Sequence, residues 1–179
     1  MTMMDAALRE RASKIRMLVL DVDGVLTDGK LFFDHAGNET KAFHTRDGLG
    51  MKALQRSGIE VAVITGRKSE AVAHRMAQLG IEHVYQGRED KLNAFLHLLD
   101  ATGLDPHQVC FAGDDWIDLP VLLRAGLAVS VADAEERVRE SAHYITSRNG
   151  GDGAVREICN MILSAQGKDK EILDQILAS

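Results

Sequence analysis

Few residues in this 179-residue chain could staple it together. Its two cysteines, Cys110 and Cys159, lie far apart in apolar segments, a pattern that supports neither a disulfide framework nor a thiolate metal site; both are expected to be buried as small apolar side chains. The seven histidines show no zinc-ligand spacing, which argues against a catalytic zinc. With two prolines in all, no Pro/Gly-rich linker divides the chain, and there is no internal repeat or low-complexity tract. Basic blocks are absent and the net charge is -6, so no nucleic-acid footprint is expected. No stretch is apolar enough to cross a bilayer. The N-terminal "MTMMDAALRERASKIR" carries scattered charge and no apolar core of signal-peptide length, so a soluble, cytoplasmic protein without membrane partners is expected.

What is present is a chain that is 45% hydrophobic, enough for one core and one domain over residues 1–179. Short apolar runs alternate with amphipathic stretches: the strand "MLVLDV", helix "GLGMKALQRSG", strand "IEVAVIT", helix "SEAVAHRMAQLG" and strand "EHVYQG". Then come the helix "EDKLNAFLHLLDATG", strand "QVCFAG", helix "DWIDLPVLLRAG" and short strands "LAVSV" and "HYIT" around the helical "AEERVRE". This alternation predicts an α/β fold, a doubly wound, Rossmann-like parallel sheet covered on both faces. The section "KLFFDHAGNETKAFHT" breaks the pattern with two β-like runs about His35-Ala36-Gly37-Asn38, which predicts a β-hairpin inserted after the first strand. The core is expected over about residues 15–163, the hairpin over about 30–45, and an amphipathic helix or loose tail over about 167–179.

Ligands of such sheets bind outside the carboxyl ends of the strands. The residues there are Asp21 and Asp23, Thr65-Gly66-Arg67, and Asp114 and Asp115 with Asp118 a turn beyond; Lys91 opens a helix near the same rim. So many carboxylates would repel one another without a cation, and Mg²⁺ suits one or two carboxylates working with a phosphate. Asp21 and Asp114 fit as direct ligands. Asp21 is then placed to attack phosphorus, forming an aspartyl-phosphate, and Asp23 to move the protons. Thr65 and Lys91 would stabilise the phosphoryl oxygens.

"DVDGVLTDG", "ITGR", Lys91 and "GDDWID" resemble the four ordered motifs of the haloacid dehalogenase superfamily of phosphohydrolases, from Met17 to Asn160. The resemblance implies that Asp21 is nucleophile and metal ligand, that Asp23 is acid/base and ligates through its backbone carbonyl, and that Asp114 completes the Mg²⁺ site. Asp115 and Asp118 are then expected to stand behind these ligands. The intervals from Asp21 to Thr65 and from Lys91 to Asp114 leave no room for a cap domain. Together with "RDGLGMK", "ITGRKSEAVAHR", "YQGREDKL" and "RNGGDGAVRE", this is similar to the capless members that release phosphate from an eight-carbon sugar acid 8-phosphate in lipopolysaccharide precursor synthesis. In them the segment matching His44, Thr45, Arg46, Asp47 and Gly48 lines the substrate site, with the positions of Lys52, Arg67 and Arg75 nearby and Asp23 and Lys91 at the phosphate. The resemblance also implies a homotetramer, and Leu31, Phe32, Phe33 and Phe43 of the hairpin are expected to be exposed for it.

Other readings remain at this point. Related capless enzymes act on nine-carbon sugar acid phosphates, some with an acidic residue where this chain has Arg67. Receiver domains of signalling proteins share the architecture, the acidic pocket and the phosphoaspartate, but have no acidic pair beyond their lysine. A calcium loop is excluded by Gly24, which falls at loop position four after a strand rather than six after a helix. Taken singly, Thr65-Gly66-Arg67 could be a helix-capping turn, Lys91 a solvated lysine, Arg67 and Arg75 partners of Glu70 or Glu82, His44 a cap on the hairpin, and "RNGGDGAVRE" a turn before a helix.

Overall fold

The structure is a computed structural model and describes residues 5–178. It opens with helix α1 (Ala6–Ser13), capped by Asp5, whose Oδ1 accepts the Leu8 N–H at 2.7 Å. Strand β1 (Met17–Leu20) follows, with all four residues buried. A strand inaccessible on both faces needs neighbours on both edges and cover above and below, which is what its uninterrupted apolar run implies. It pairs in parallel with β4 (Glu60–Ile64) and β6 (Val109–Gly113), Leu20 lying opposite Val63 on one side and Ala112 on the other. β5 (His83–Tyr85), β7 (Leu127–Ser130) and β8 (Tyr144–Ile145) extend the sheet, and the order is β5-β4-β1-β6-β7-β8, all parallel. The chain winds outward from β1 through β4 to β5, then returns beside β1 and winds the other way. The reversal point between β1 and β6 is where such a sheet opens a crevice.

The predicted doubly wound sheet is thus the observed one, and no cap domain is inserted. Helix α2 (Thr45–Arg56) packs on α7 (Ala154–Ala165) and α3 (Glu70–Leu79), and α7 also meets α1; α4 (Lys91–Thr102), α5 (Leu119–Leu122) and α6 (Glu136–Ser141) pack in series around the other winding. The hairpin is β2 (Phe32–Phe33) against β3 (Glu39–Thr40), antiparallel, with Phe33 opposite Glu39. Its turn is held by Asp34 Oδ1, which accepts the Ala36 and Asn38 N–H groups at 2.8 and 2.9 Å. Cys110 and Cys159 are free and buried, and burial pushes both thiols up.

Several local expectations are corrected. His44 caps α2 rather than the hairpin: its Nδ1 accepts the Arg46 N–H at 3.2 Å, so the helix starts at Thr45 instead of at Gly48. Glycines in its first turns are tolerated because the helix is pressed from outside; a Cβ at Gly50 would lie 3.2 Å from Cys159 Sγ. "DWIDLPVLLRAG" is a 3-10 turn (Trp116–Asp118) running into the short α5. Phe43 is half-buried against the core, while Leu31, Phe32 and Phe33 are exposed. The C-terminal segment forms α8 (Asp169–Leu177), anchored by buried Ile172, with Leu173 and Leu177 exposed. Among the described residues, no helix is long and apolar enough to cross a membrane.

Candidate active site

Asp21 is the first residue past β1, and its N–H donates to Ala112 O at 3.0 Å, which keeps it in line with the sheet. Asp114 stands at the same level past β6. Lys91, the first residue of α4, is 2% exposed; its Nζ donates to Asp21 Oδ1 and to Asp118 Oδ1, each at 2.6 Å. Asp118 is wholly buried, and its other oxygen accepts the N–H groups of Asp114 at 3.0 Å and Asp115 at 3.3 Å. Both Asp118 oxygens are therefore engaged, one orienting Lys91 and the other folding the loop that presents Asp114. Asp115 Oδ1 accepts the Trp116 N–H at 2.7 Å.

Asp21, Asp114 and Asp118 each bring a carboxylate oxygen within 4.8 Å of the others. Asp114 Oδ1 is buried and, among the described residues, has no hydrogen-bond partner. Burial, with Asp118 beside it and Lys91 opposing, raises the Asp21 carboxyl to about 6. Burial and then the charges of Asp21 and Asp118 push Asp114 to about 8. Burial works against the Lys91 ammonium, but Asp21 and Asp118 outweigh it and hold Lys91 above its ordinary value. One lysine does not balance three clustered carboxylates, two of them buried and the third, Asp114, partly so. An all-oxygen, anionic set with an orphaned acceptor is what a hard divalent cation such as Mg²⁺ takes up. Room for it depends on Gly24, whose φ is +104°: a Cβ there would lie 2.0 Å from Asp114 Oδ2.

Asp23 turns away from this cluster. Its Oδ1 is paired with Lys41 Nζ and its Oδ2 lies 4.0 Å from Arg67 Nε. Lys41 also reaches Glu39 Oε1 at 3.2 Å, and Glu39 Oε1 accepts from Arg67 Nη2 at 2.9 Å. Arg67 thus pairs across to the hairpin rather than to Glu70 or Glu82. Glu39 and Lys41 escaped the motif-based reading, although period two could have found them: Glu39, Lys41 and Phe43 share one side of the strand, and these three are the partly buried positions of the hairpin's second arm.

Thr65, just past β4 and 2% exposed, donates its N–H to Tyr85 O at 2.9 Å. The "RNGGDG" loop braces the first motif: Gly151 N–H donates to Val25 O at 3.0 Å, and a Cβ at Gly150 would fall 1.7 Å from Gly24 O. The remaining expected substrate residues are not gathered at the cluster. Asp47 is buried and caps α7, its Oδ1 accepting the Arg156 N–H at 2.8 Å, and burial raises its carboxyl. Arg75 hydrogen-bonds Gln78 at 3.4 Å and lies over Gly48, where a Cβ would be 2.4 Å from its Nη2. Lys52 Nζ lies 3.4 Å from where a Gly80 Cβ would be, so both cations sit in the seam between α2 and α3. His44, Thr45 and Arg46 form the exposed or half-exposed start of α2.

A central-strand aspartate beside a second acidic loop, with a lysine between them and no cap, defines the protein class. The chain belongs to the haloacid dehalogenase-like hydrolases, whose family model matches residues 83–158. Within that class it falls in the 3-deoxy-D-manno-octulosonate 8-phosphate phosphatase family. It is 50% identical over 165 residues to the 3-deoxy-D-manno-octulosonate 8-phosphate phosphatase KdsC of Escherichia coli strain K12, covering 92% of this chain and 88% of that protein. The crystal structure of the phosphatase of that name from Yersinia pestis superposes with a TM-score of 0.90 at 48% identity, covering 91% of this chain and 88% of that one. The enzyme from Moraxella catarrhalis, solved in complex with magnesium ion, phosphate ion and KDO, superposes with a TM-score of 0.92 at 41% identity, covering 94% of this chain and 97% of that one.

Proposed function

We infer that this chain is a Mg²⁺-dependent phosphatase that hydrolyses 3-deoxy-D-manno-octulosonate 8-phosphate to the free sugar acid and phosphate, in lipopolysaccharide precursor synthesis. The observation that carries the chemistry is the approach of Asp21 and Asp114 across the reversal point, with a buried Asp114 oxygen that has no partner among the described residues. Asp21, Asp114 and the main-chain carbonyl of Asp23 would hold the ion. Mg²⁺, when bound, neutralises the phosphoryl group's charge against these carboxylates. Lys91 holds Asp21 Oδ1, which leaves the second Asp21 oxygen to form the bond to phosphorus. As that bond forms, the bond from phosphorus to the sugar oxygen breaks, and Asp23 gives that oxygen its proton. In the second half Asp23 takes a proton from water, the water oxygen bonds to phosphorus, and the link to Asp21 breaks to release phosphate. Thr65 and Lys91 support the phosphoryl oxygens as charge develops.

Arg67, beside Asp23, is the group placed to take the sugar-acid carboxylate. Asp47 ties α2 to α7 through the Arg156 N–H, Gly48 leaves room for Arg75 between α2 and α3, and in the assembled protein His44, Thr45, Arg46, Lys52 and Arg75 would face the sugar held by a neighbouring copy. The three exposed apolar side chains of the hairpin, Leu31, Phe32 and Phe33, supply the contact for a homotetramer in which a neighbour completes the open site. Light scattering that finds a fully active monomer at micromolar concentration would refute this assembly. A cytoplasmic setting agrees with two free cysteines and an anionic sugar substrate.

The test of the activity is turnover with Mg²⁺ across a panel of eight-carbon and nine-carbon sugar acid phosphates. The eight-carbon substrate should lead, and Asp21→Asn should abolish turnover with the fold retained. A single stable phosphoryl adduct per chain, or near-wild-type activity in Asp21→Asn, would overturn the reading.

A further inference from the structure

The hairpin makes a connection that the phosphoryl chemistry described above does not use. From Lys30 to Asn38 every residue is exposed, as befits an arm reaching away from the domain. Its return limb turns inward at alternate residues, and there the Lys41 side chain is 1% exposed. Burying an ammonium so completely is costly unless anions surround it. Lys41 has two, Asp23 and Glu39, and Arg67 closes the set by contacting Glu39 at 2.9 Å and approaching Asp23 at 4.0 Å. The result is a closed ring of alternating charge, Asp23, Lys41, Glu39, Arg67, with formal charges that cancel. Two members come from the core loops after β1 and β4, and two from the hairpin.

We propose that Lys41 is a positioning residue for the proton-transfer step: by donating to Oδ1 it fixes the Asp23 side chain in one orientation and leaves Oδ2 to carry and exchange the proton, and Glu39 holds Lys41 and Arg67 in register with it. This rests on the phosphatase reading given above. Among the described residues Asp23 has no other fixed partner on its Oδ1 side, and it cannot lean on the Asp21 cluster, where Lys91 is already shared between Asp21 and Asp118. An acid/base group works only within hydrogen-bond reach of the atom it serves, and a carboxylate free to rotate spends most of its time elsewhere. The lysine is therefore needed for what Asp23 does, although it touches no reacting atom. The ring also ties the arm that would carry subunit contacts to the reaction centre, so displacing the hairpin would release Asp23.

The experiment compares Lys41→Met and Lys41→Arg with the wild type on two Mg²⁺-dependent reactions: a sugar phosphate, whose leaving oxygen must be protonated, and p-nitrophenyl phosphate, whose leaving oxygen departs without a proton. Lys41→Met should lower kcat on the sugar phosphate roughly ten- to a hundred-fold, the scale of one hydrogen bond to a charged group. KM should change little, the loss in the first turnover, before water attacks, should be distinctly smaller on p-nitrophenyl phosphate, and Lys41→Arg should recover part of the rate. If Lys41→Met does not fold, the double variant Glu39→Gln, Lys41→Met removes one charge of each sign and takes its place. An unchanged kcat would overturn the proposal, and so would a first-turnover loss equal on both substrates. A wild-type protein inactive on both substrates would instead refute the phosphatase reading.

Discussion

In the metal-free protein, Asp21 and Asp114 are carboxyls that folding makes harder to ionise, and stability should record it. Burial and neighbouring charge raise Asp21 from 3.8 to about 6 and Asp114 from 3.8 to about 8. The folded state therefore holds protons that the unfolded chain has released, and the sign follows. The contribution is fully present below about pH 4 and is lost as pH rises through about 6 and then about 8. Taking only the smaller displacement, that of Asp21, the loss amounts to about 3 kcal/mol. A bound divalent cation competes with those protons, so it should stabilise strongly at about pH 8 and weakly at about pH 5; at a hundred times its dissociation constant the gain is about 2.7 kcal/mol. The assay is urea unfolding at both pH values, with chelator and with saturating Mg²⁺, on the wild type and on Asp114→Asn. The variant removes one of the crowded negative charges. It should be more stable than the wild type at about pH 8 without metal, show a flatter pH dependence, and lose most of the Mg²⁺ response. Metal-free stability that is flat between these pH values, or an equal Mg²⁺ effect at both, would refute the electrostatic account of the cluster.

Two further outcomes are expected. Gly24→Ala should cost at least about 1–2 kcal/mol for its left-handed backbone and should abolish Mg²⁺-induced stabilisation, because its Cβ would sit 2.0 Å from Asp114 Oδ2; calorimetric Mg²⁺ titration checks it, and normal binding would refute the cradle. Arg67→Ala should lower kcat/KM on the sugar acid phosphate roughly ten- to a hundred-fold while sparing a neutral aryl phosphate; an equal loss on both would show that Arg67 serves the phosphoryl end or the fold.

Local chemistry written along the chain determined the order of strands and helices, the parallel sheet, the absence of a cap and the placement of Asp21, Thr65, Lys91 and Asp114 at strand ends or a helix start. Apolar runs of strand length, helices closed by glycines such as Gly80 and Gly103, and carboxylates just beyond the apolar runs are all visible within a few residues. Helix starts were less legible, because a histidine cap at His44 and helical glycines packed against α7 are decided by neighbours. Only the tertiary structure decided how the charges divide. Lys91 is 27 positions from Asp118 and 70 from Asp21, and no periodicity says that one ammonium will be shared between them, leaving an Asp114 oxygen without a partner among the described residues. Nor does sequence spacing say that Asp47 will cap a helix 109 positions away, or that Asp23 will face the hairpin's Lys41 rather than the acidic cluster. Burial is the physical reason. In water these charges would be screened and indifferent to one another, whereas inside the fold each must find a partner at hydrogen-bond distance, and only the path of the whole chain determines which partner is there.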